Sequence, residues 1–204
     1  SPESPTITYA LRGLAYFELR VYGPDHDLHS GIYGGAVHNP AIVLSELIAG
    51  MHDKNGSITL PGFYDRVRKL SPRERRQLAK LPITDAKIVE QTGVSQVYGE
   101  RKFTTNERMG SRPSLDVNGF YSGFTGTGPK TIIPAYAMAK ISMRLVPDQK
   151  AFEIREMLVK YIEANLPPTV RYELDQFGTG DPSISDINHP ATKALAKAQK
   201  QVWG

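Results

Sequence analysis

Gly13-Leu14-Ala15-Tyr16-Phe17-Glu18-Leu19-Arg20-Val21-Tyr22 is the stretch on which the fold turns. Ala15, Phe17, Leu19 and Val21 fall on one side of an extended chain, and Tyr16, Glu18, Arg20 and Tyr22 on the other. That period of two is the mark of a strand with one buried face. Such a strand needs neighbours for its backbone groups and a layer to cover its apolar side. The sequence downstream offers both. Asn39 is a good N-cap and Pro40 a good first helical residue. Ile42, Val43, Leu47, Ile48 and Met51 then recur at helical spacing, with Asn55-Gly56 as the stop.

The strand pattern returns at Ser114–Phe120 and, after a turn-rich stretch, in a long run over residues 131–146. In that run Ala139, Ile141, Met143 and Leu145 share one face, and Lys140, Ser142 and Arg144 the other. Pro147-Asp148 breaks the run and caps a helix carrying Phe152, Met157, Leu158, Tyr161 and Ile162, with Glu156 and Lys160 as a supporting pair. Pro167-Pro168 ends that helix, and Val170, Tyr172 and Leu174 mark a last strand. Strand, helix, strand, strand, helix, strand predicts an α+β ferredoxin-like sandwich, an antiparallel four-stranded sheet with two helices on one face.

Residues 57–110 read as a small helical insertion on the surface of that fold. They are charged and short of aliphatic runs, with a capping box at Ser71-Pro72-Arg73-Glu74 and a helix start at Thr84-Asp85 that Gly93 ends. The expected boundaries are a linker over residues 1–12, a domain over 13–180, and a linker with a helix from Ala191 over 181–204. That helix is still running where the sequence stops and reads as the start of something else.

With 40% hydrophobic and 23% charged residues the 204-residue chain suits a globular domain. No apolar stretch is long enough for a membrane span, and no signal peptide opens the chain. The absence of cysteine excludes disulfides and thiolate metal ligands and fits a cytoplasmic setting. Much of the net charge of +4 comes from a cluster between Arg66 and Lys80 that suits a solvated helical face.

Asp27-Leu28-His29-Ser30-Gly31-Ile32-Tyr33-Gly34-Gly35 places a histidine in a glycine-rich loop where it can reach a ligand. His26 and His29, flanked by Asp25 and Asp27, invite a metal, but a loop does not stack positions three apart, and a third ligand is missing. No metal site is expected within the chain. Gly123–Thr131 resembles a phosphate-binding loop, but Pro129 separates Gly128 from Lys130 and no helix follows. Arg144 on the polar strand face is either a surface arginine pairing with Glu18 or a fork for a carboxylate.

Several ordered motifs together resemble one family. They are Arg12-Gly13, Asp27–Gly31 with Gly34-Gly35 and Asn39-Pro40, Gly126–Pro134, and Met143-Arg144-Leu145-Val146-Pro147. The chain is similar to the lid, or dimerisation, domain of the co-catalytic zinc metallopeptidases, which include carnosine dipeptidases, aminoacylase and succinyl-diaminopimelate desuccinylase. The resemblance implies a lid excised from a dipeptidase-like parent, inactive alone, with the Ala191–Trp203 helix a stub of a catalytic domain that holds two zinc or similar divalent ions. It further implies a homodimer through the lid, and dipeptide or N-acyl amino acid substrates for the parent. His29 would reach the partner subunit's active site and stabilise the developing oxyanion, Arg144 would hold the substrate carboxylate, and Thr131 would lie near the substrate. Neither a nucleic acid nor a membrane is an expected partner. The alternative is a free-standing ferredoxin-like binding module, for example one that stacks RNA bases on Tyr16 and Tyr22. A complete small hydrolase built around His26 and His29 is a third reading.

Overall fold

The computed structural model describes residues 6–203. In chain order the elements are β1 (Ala10–Leu11), β2 (Gly13–Tyr22), β3 (Leu28–His29), α1 (Ser30–Tyr33), α2 (Pro40–Gly50), α3 (Pro72–Leu78), α4 (Asp85–Thr92), α5 (Thr105–Ser111), β4 (Ser114–Ser122), β5 (Ile132–Ile133), β6 (Tyr136–Leu145), α6 (Ala151–Asn165), β7 (Arg171–Gly180), β8 (Ser183–Ile184) and α7 (Pro190–Trp203). The fold is mixed α and β. Its main sheet has the order β4-β6-β2-β7, every pair antiparallel. Two small ribbons, β1 with β8 and β3 with β5, flank it.

The alternation in β2 sets the layers. Ala15, Phe17, Leu19 and Val21 are completely buried, and register places them beside Met143, Ile141, Ala139 and Ala137 of β6 on the same face. Against that face pack Val43, Leu44 and Leu47 of α2 and Ile154, Leu158, Tyr161 and Ile162 of α6. Each large apolar side chain so buried contributes roughly 1.5–3 kcal/mol. The two helices are also tied by a polar bond, the Tyr161 hydroxyl donating to the Leu47 carbonyl at 2.8 Å. A Cβ on Gly50 would lie 2.3 Å from that hydroxyl oxygen, so the close approach requires glycine there. The opposite face of the sheet is left open.

Asn39 caps α2 through its side chain, which accepts from the Ala41 N–H at 2.9 Å, with Pro40 at the first turn. The helix ends at Gly50, ahead of the Asn55-Gly56 stop expected from sequence, because the chain turns back there to form an isolated bridge between His52 and Ile58. The long run over 131–146 is broken at Pro134 into β5 and β6, since proline cannot donate to a ladder. Asp148 does not cap α6. It sits at positive φ, and the carboxylate of Asp181 accepts from the Ala151 N–H instead, at 2.9 Å. Phe152 points outward and is 68% exposed, and Glu156 and Lys160, both exposed, do not pair with each other.

The insertion is less superficial than its composition suggests. Ile58, Leu60 and Phe63 join the main core. A third helix, α5, follows the two expected ones, closed by a capping box between Thr104 and Glu107. Ion pairs hold the segment together, with Arg75 on Glu107 and Arg112 on Glu100. The first five residues of the expected N-terminal linker lie outside the described residues.

Candidate functional site

His29 ends β3 and caps α1, so two elements fix its backbone. Its ribbon partner is β5, with His29 opposite Ile132. The loop is fastened to the β5 segment by three further bonds. The Ser30 N–H donates to the Thr131 carbonyl at 3.0 Å, the Gly23 N–H to the Ala135 carbonyl at 2.9 Å, and the Ala135 N–H to the Asp27 carboxylate at 2.9 Å. Asp27 thus has a positioning role that its place in the motif did not reveal, because its partner lies 108 residues away.

The imidazole is exposed but oriented. Its Nδ1 accepts from the Gly31 N–H at 2.9 Å. A ring nitrogen that accepts carries no proton, so in the neutral ring the proton sits on Nε2. Nε2 faces the Thr131 hydroxyl at 3.3 Å. The loop therefore presents a hydrogen-bond donor, held in one tautomer by its own backbone. Such a donor suits an oxygen that gains negative charge during a reaction.

His29 and Thr131 come together; Arg144 is elsewhere. It lies near the far end of β6, opposite Leu14 on β2 and Ser114 on β4. Eight residues of extended strand separate it from Tyr136 at the His29 end, a span of about 26 Å. Its expected alternative partner, Glu18, is engaged by Arg20 and Lys140 instead. Register explains the exchange, since Glu18 stands directly opposite Lys140. Arg144 makes no ion pair among the described residues, and its guanidinium is exposed on the open face.

Among the described residues no group of three or more His, Cys, Asp and Glu side chains clusters to hold a metal ion. His26 is bonded to its neighbour Asp25, and the lone pair of His29 Nδ1 is taken by Gly31. The open sheet face carries aromatic and charged side chains together. Tyr22, Tyr136 and Tyr121 form a tilted aromatic row there, but Glu18, Glu173 and Asp175 share the face and pair with Arg20, Lys140 and Arg171. Tyr22 itself donates to the Glu173 carboxylate at 2.8 Å.

Residues 9–170 match the family described as the peptidase dimerisation domain. The chain is 31% identical over 206 residues to the Cys-Gly metallodipeptidase dug1 of Schizosaccharomyces pombe, an overlap of 99% of this chain and 43% of that protein. Among solved structures it is similar to an M20 family metallo-carboxypeptidase from Sulfolobus solfataricus, with a TM-score of 0.86, 33% identity, and coverage of 98% of this chain and 51% of the other. It is also similar to human carnosine dipeptidase 1, with a TM-score of 0.81, 27% identity, and coverage of 99% and 44%. The chain spans about half of these relatives' length or less.

Proposed function

The chain belongs to the peptidase dimerisation domain family, and on that premise we propose that it is the dimerising, substrate-clamping lid of a metallopeptidase acting on dipeptides or related N-acyl amino acids. The strand order β4-β6-β2-β7, with α2 and α6 on one face, supports a ferredoxin-like sandwich as its frame. In this reading the lid alone hydrolyses nothing. Two zinc or similar divalent ions, bound in a catalytic domain of the same polypeptide, supply Lewis-acid activation of water. The lid's residues position the substrate and stabilise charge. The His29 Nε2–H donates to the carbonyl oxygen as it becomes an oxyanion, with Thr131 holding the ring in line until substrate arrives. Arg144 grips the substrate's terminal carboxylate with its planar fork.

One observation carries the proposal: the separation of His29 and Thr131 from Arg144 along the whole of β6. A dipeptide is far too short to bridge about 26 Å of strand. The three residues serve one substrate only if His29 and Thr131 come from one chain and Arg144 from another. The exposed edge of the sheet supports such a pair. Edge strand β4 is not covered by α2, so Val117 and Phe120 stay exposed on its inward side, and Ile42, Ser45, Glu46 and Ala49, with half-buried Ala41, make an exposed flank of mixed character on the helix. Pairing β4 with its copy about a two-fold axis would cover both.

Complementation tests the divided site. In the full-length protein, His29→Ala and Arg144→Met should each abolish most turnover of a dipeptide such as Cys-Gly. Co-expressed, they should recover about a quarter of wild-type activity, because half the dimers are mixed and each mixed dimer has one intact site. No recovery in demonstrably mixed dimers would refute the reading.

A further inference from the structure

Arg12 lies one residue ahead of β2, two before Leu14. The alternation that buries Gly13 puts Arg12 on the side of Leu14, and therefore on the open face with Arg144, which stands opposite Leu14. Diagonal neighbours on one sheet face are about 7–8 Å apart, within reach of two long side chains. Burial above all, and next the charge of Arg144, push the Arg12 guanidinium below its ordinary range, with Asp116 acting in the opposite sense.

The partly buried arginines among the described residues otherwise have acceptors. Arg20 donates to Glu18 and Asp175, Arg108 to the carbonyls of Glu100 and Tyr98, and Arg112 to both oxygens of Glu100. Among the described residues Arg12 alone has none, and Arg144 beside it is equally without an ion pair. Asp116, the carboxylate on that end of the face, accepts from the Ser114 hydroxyl at 3.3 Å and reaches neither guanidinium. A half-buried cation set against a second cation, with no acceptor among the described residues, is a place where an anionic group is stabilised.

We propose that Arg12 is a second carboxylate-binding residue, which together with Arg144 forms a two-guanidinium receptor for the terminal carboxylate of the substrate. This rests on the reading of Arg144 given above and extends it. One planar guanidinium can take both oxygens of a carboxylate side-on. The second adds charge from another direction and narrows the site to ligands with a full negative charge, against an amide of the same shape. The receptor would make the enzyme selective for substrates with a free carboxyl end.

The test compares Cys-Gly with its C-terminal amide in the full-length protein, for wild type, Arg12→Met, Arg12→Lys and Arg144→Met. Arg12→Met should lower the preference for the free acid about tenfold in kcat/KM, chiefly through KM. Arg12→Lys, which keeps the charge, should restore most of the preference. The thermal midpoint of unliganded Arg12→Met should be unchanged or higher, because a repelled cation is removed. An equal loss on acid and amide, or a lowered midpoint, would make Arg12 structural and overturn the inference. Should Arg144→Met lose the preference while Arg12→Met keeps it, only the role of Arg12 fails. Should Arg144→Met keep the preference, the reading of Arg144 fails, and the two-arginine receptor falls with it.

Discussion

Replacing His29 separates two jobs that the structure gives to one ring. Nδ1 caps α1 by accepting from the Gly31 N–H, and Nε2 presents the donor. His29→Ala removes both. The loss of a cap costs about 1 kcal/mol, and the exposed ring contributes little burial besides. For a protein of this size that lowers the melting point by about 2–4 °C. The fold should survive, since the loop keeps its backbone bonds from Ser30 to Thr131 and from Gly23 to Ala135. The loss of an oxyanion donor is far larger, about 100- to 1,000-fold in kcat. His29→Asn divides the two effects. Asparagine is among the best N-caps, and the extended backbone at this position, with φ −74° and ψ 114°, suits one. Its side chain is too short to place a donor where Nε2 sits. Thermal melts should therefore show wild-type stability for His29→Asn, while turnover of the full-length protein stays as low as for His29→Ala. If His29→Asn regained wild-type turnover, the ring would act only as a cap. If His29→Ala unfolded the domain, the functional argument would fail at its root.

Two further substitutions probe the frame. Arg112 is clamped on Glu100 through Nε and Nη2, at 2.5 and 2.7 Å, and lies 4.1 Å from the Phe103 ring centroid. Arg112→Met strands a carboxylate whose side chain is only 10% exposed, so urea denaturation should show a loss of about 3–5 kcal/mol. Adding Glu100→Gln should recover part of that loss, and a double variant no better than the single one would contradict the assignment. The carboxyl of Glu107 is held below its ordinary value of 4.5, first by the hydrogen bond from Arg75, and Glu18 likewise by that from Lys140. A carboxyl that is more acidic when folded stabilises fully above its unfolded pKa and loses that contribution as pH falls through the folded one. Urea midpoints should hold steady from neutral pH down to about 5 and then drop, and Glu107→Gln should flatten the drop; an unchanged acid limb would show that the pair does not drive it.

Legibility followed the range of the interaction. The face of β2, the Asn39-Pro40 start of α2 and the Ser71 capping box were readable because each depends on residues within a few positions of one another. The cap of α6 was not, since Asp181 lies 30 residues from Ala151. Nor was the buried part of the insertion, where Ile58, Leu60 and Phe63 are too few and too scattered to show a period, yet enter a core built by other elements. At the candidate site His29 stood out by its glycine-rich surroundings. Arg12 was marked only as part of the Arg12-Gly13 motif, because an arginine before a strand gives no sign of whether an acceptor will reach it.

The sequence by itself determined the alternating strands, the start of α2 and the glycine-rich setting of His29, because periodicity, capping and loop composition are local properties of the chain. Only the tertiary structure decided the tautomer of His29, its meeting with Thr131 across 102 residues, and the exclusion of Arg144 from that meeting. Those depend on which strands pair and in what register. Register is set by the burial of whole faces at once, and no short stretch of residues carries it alone.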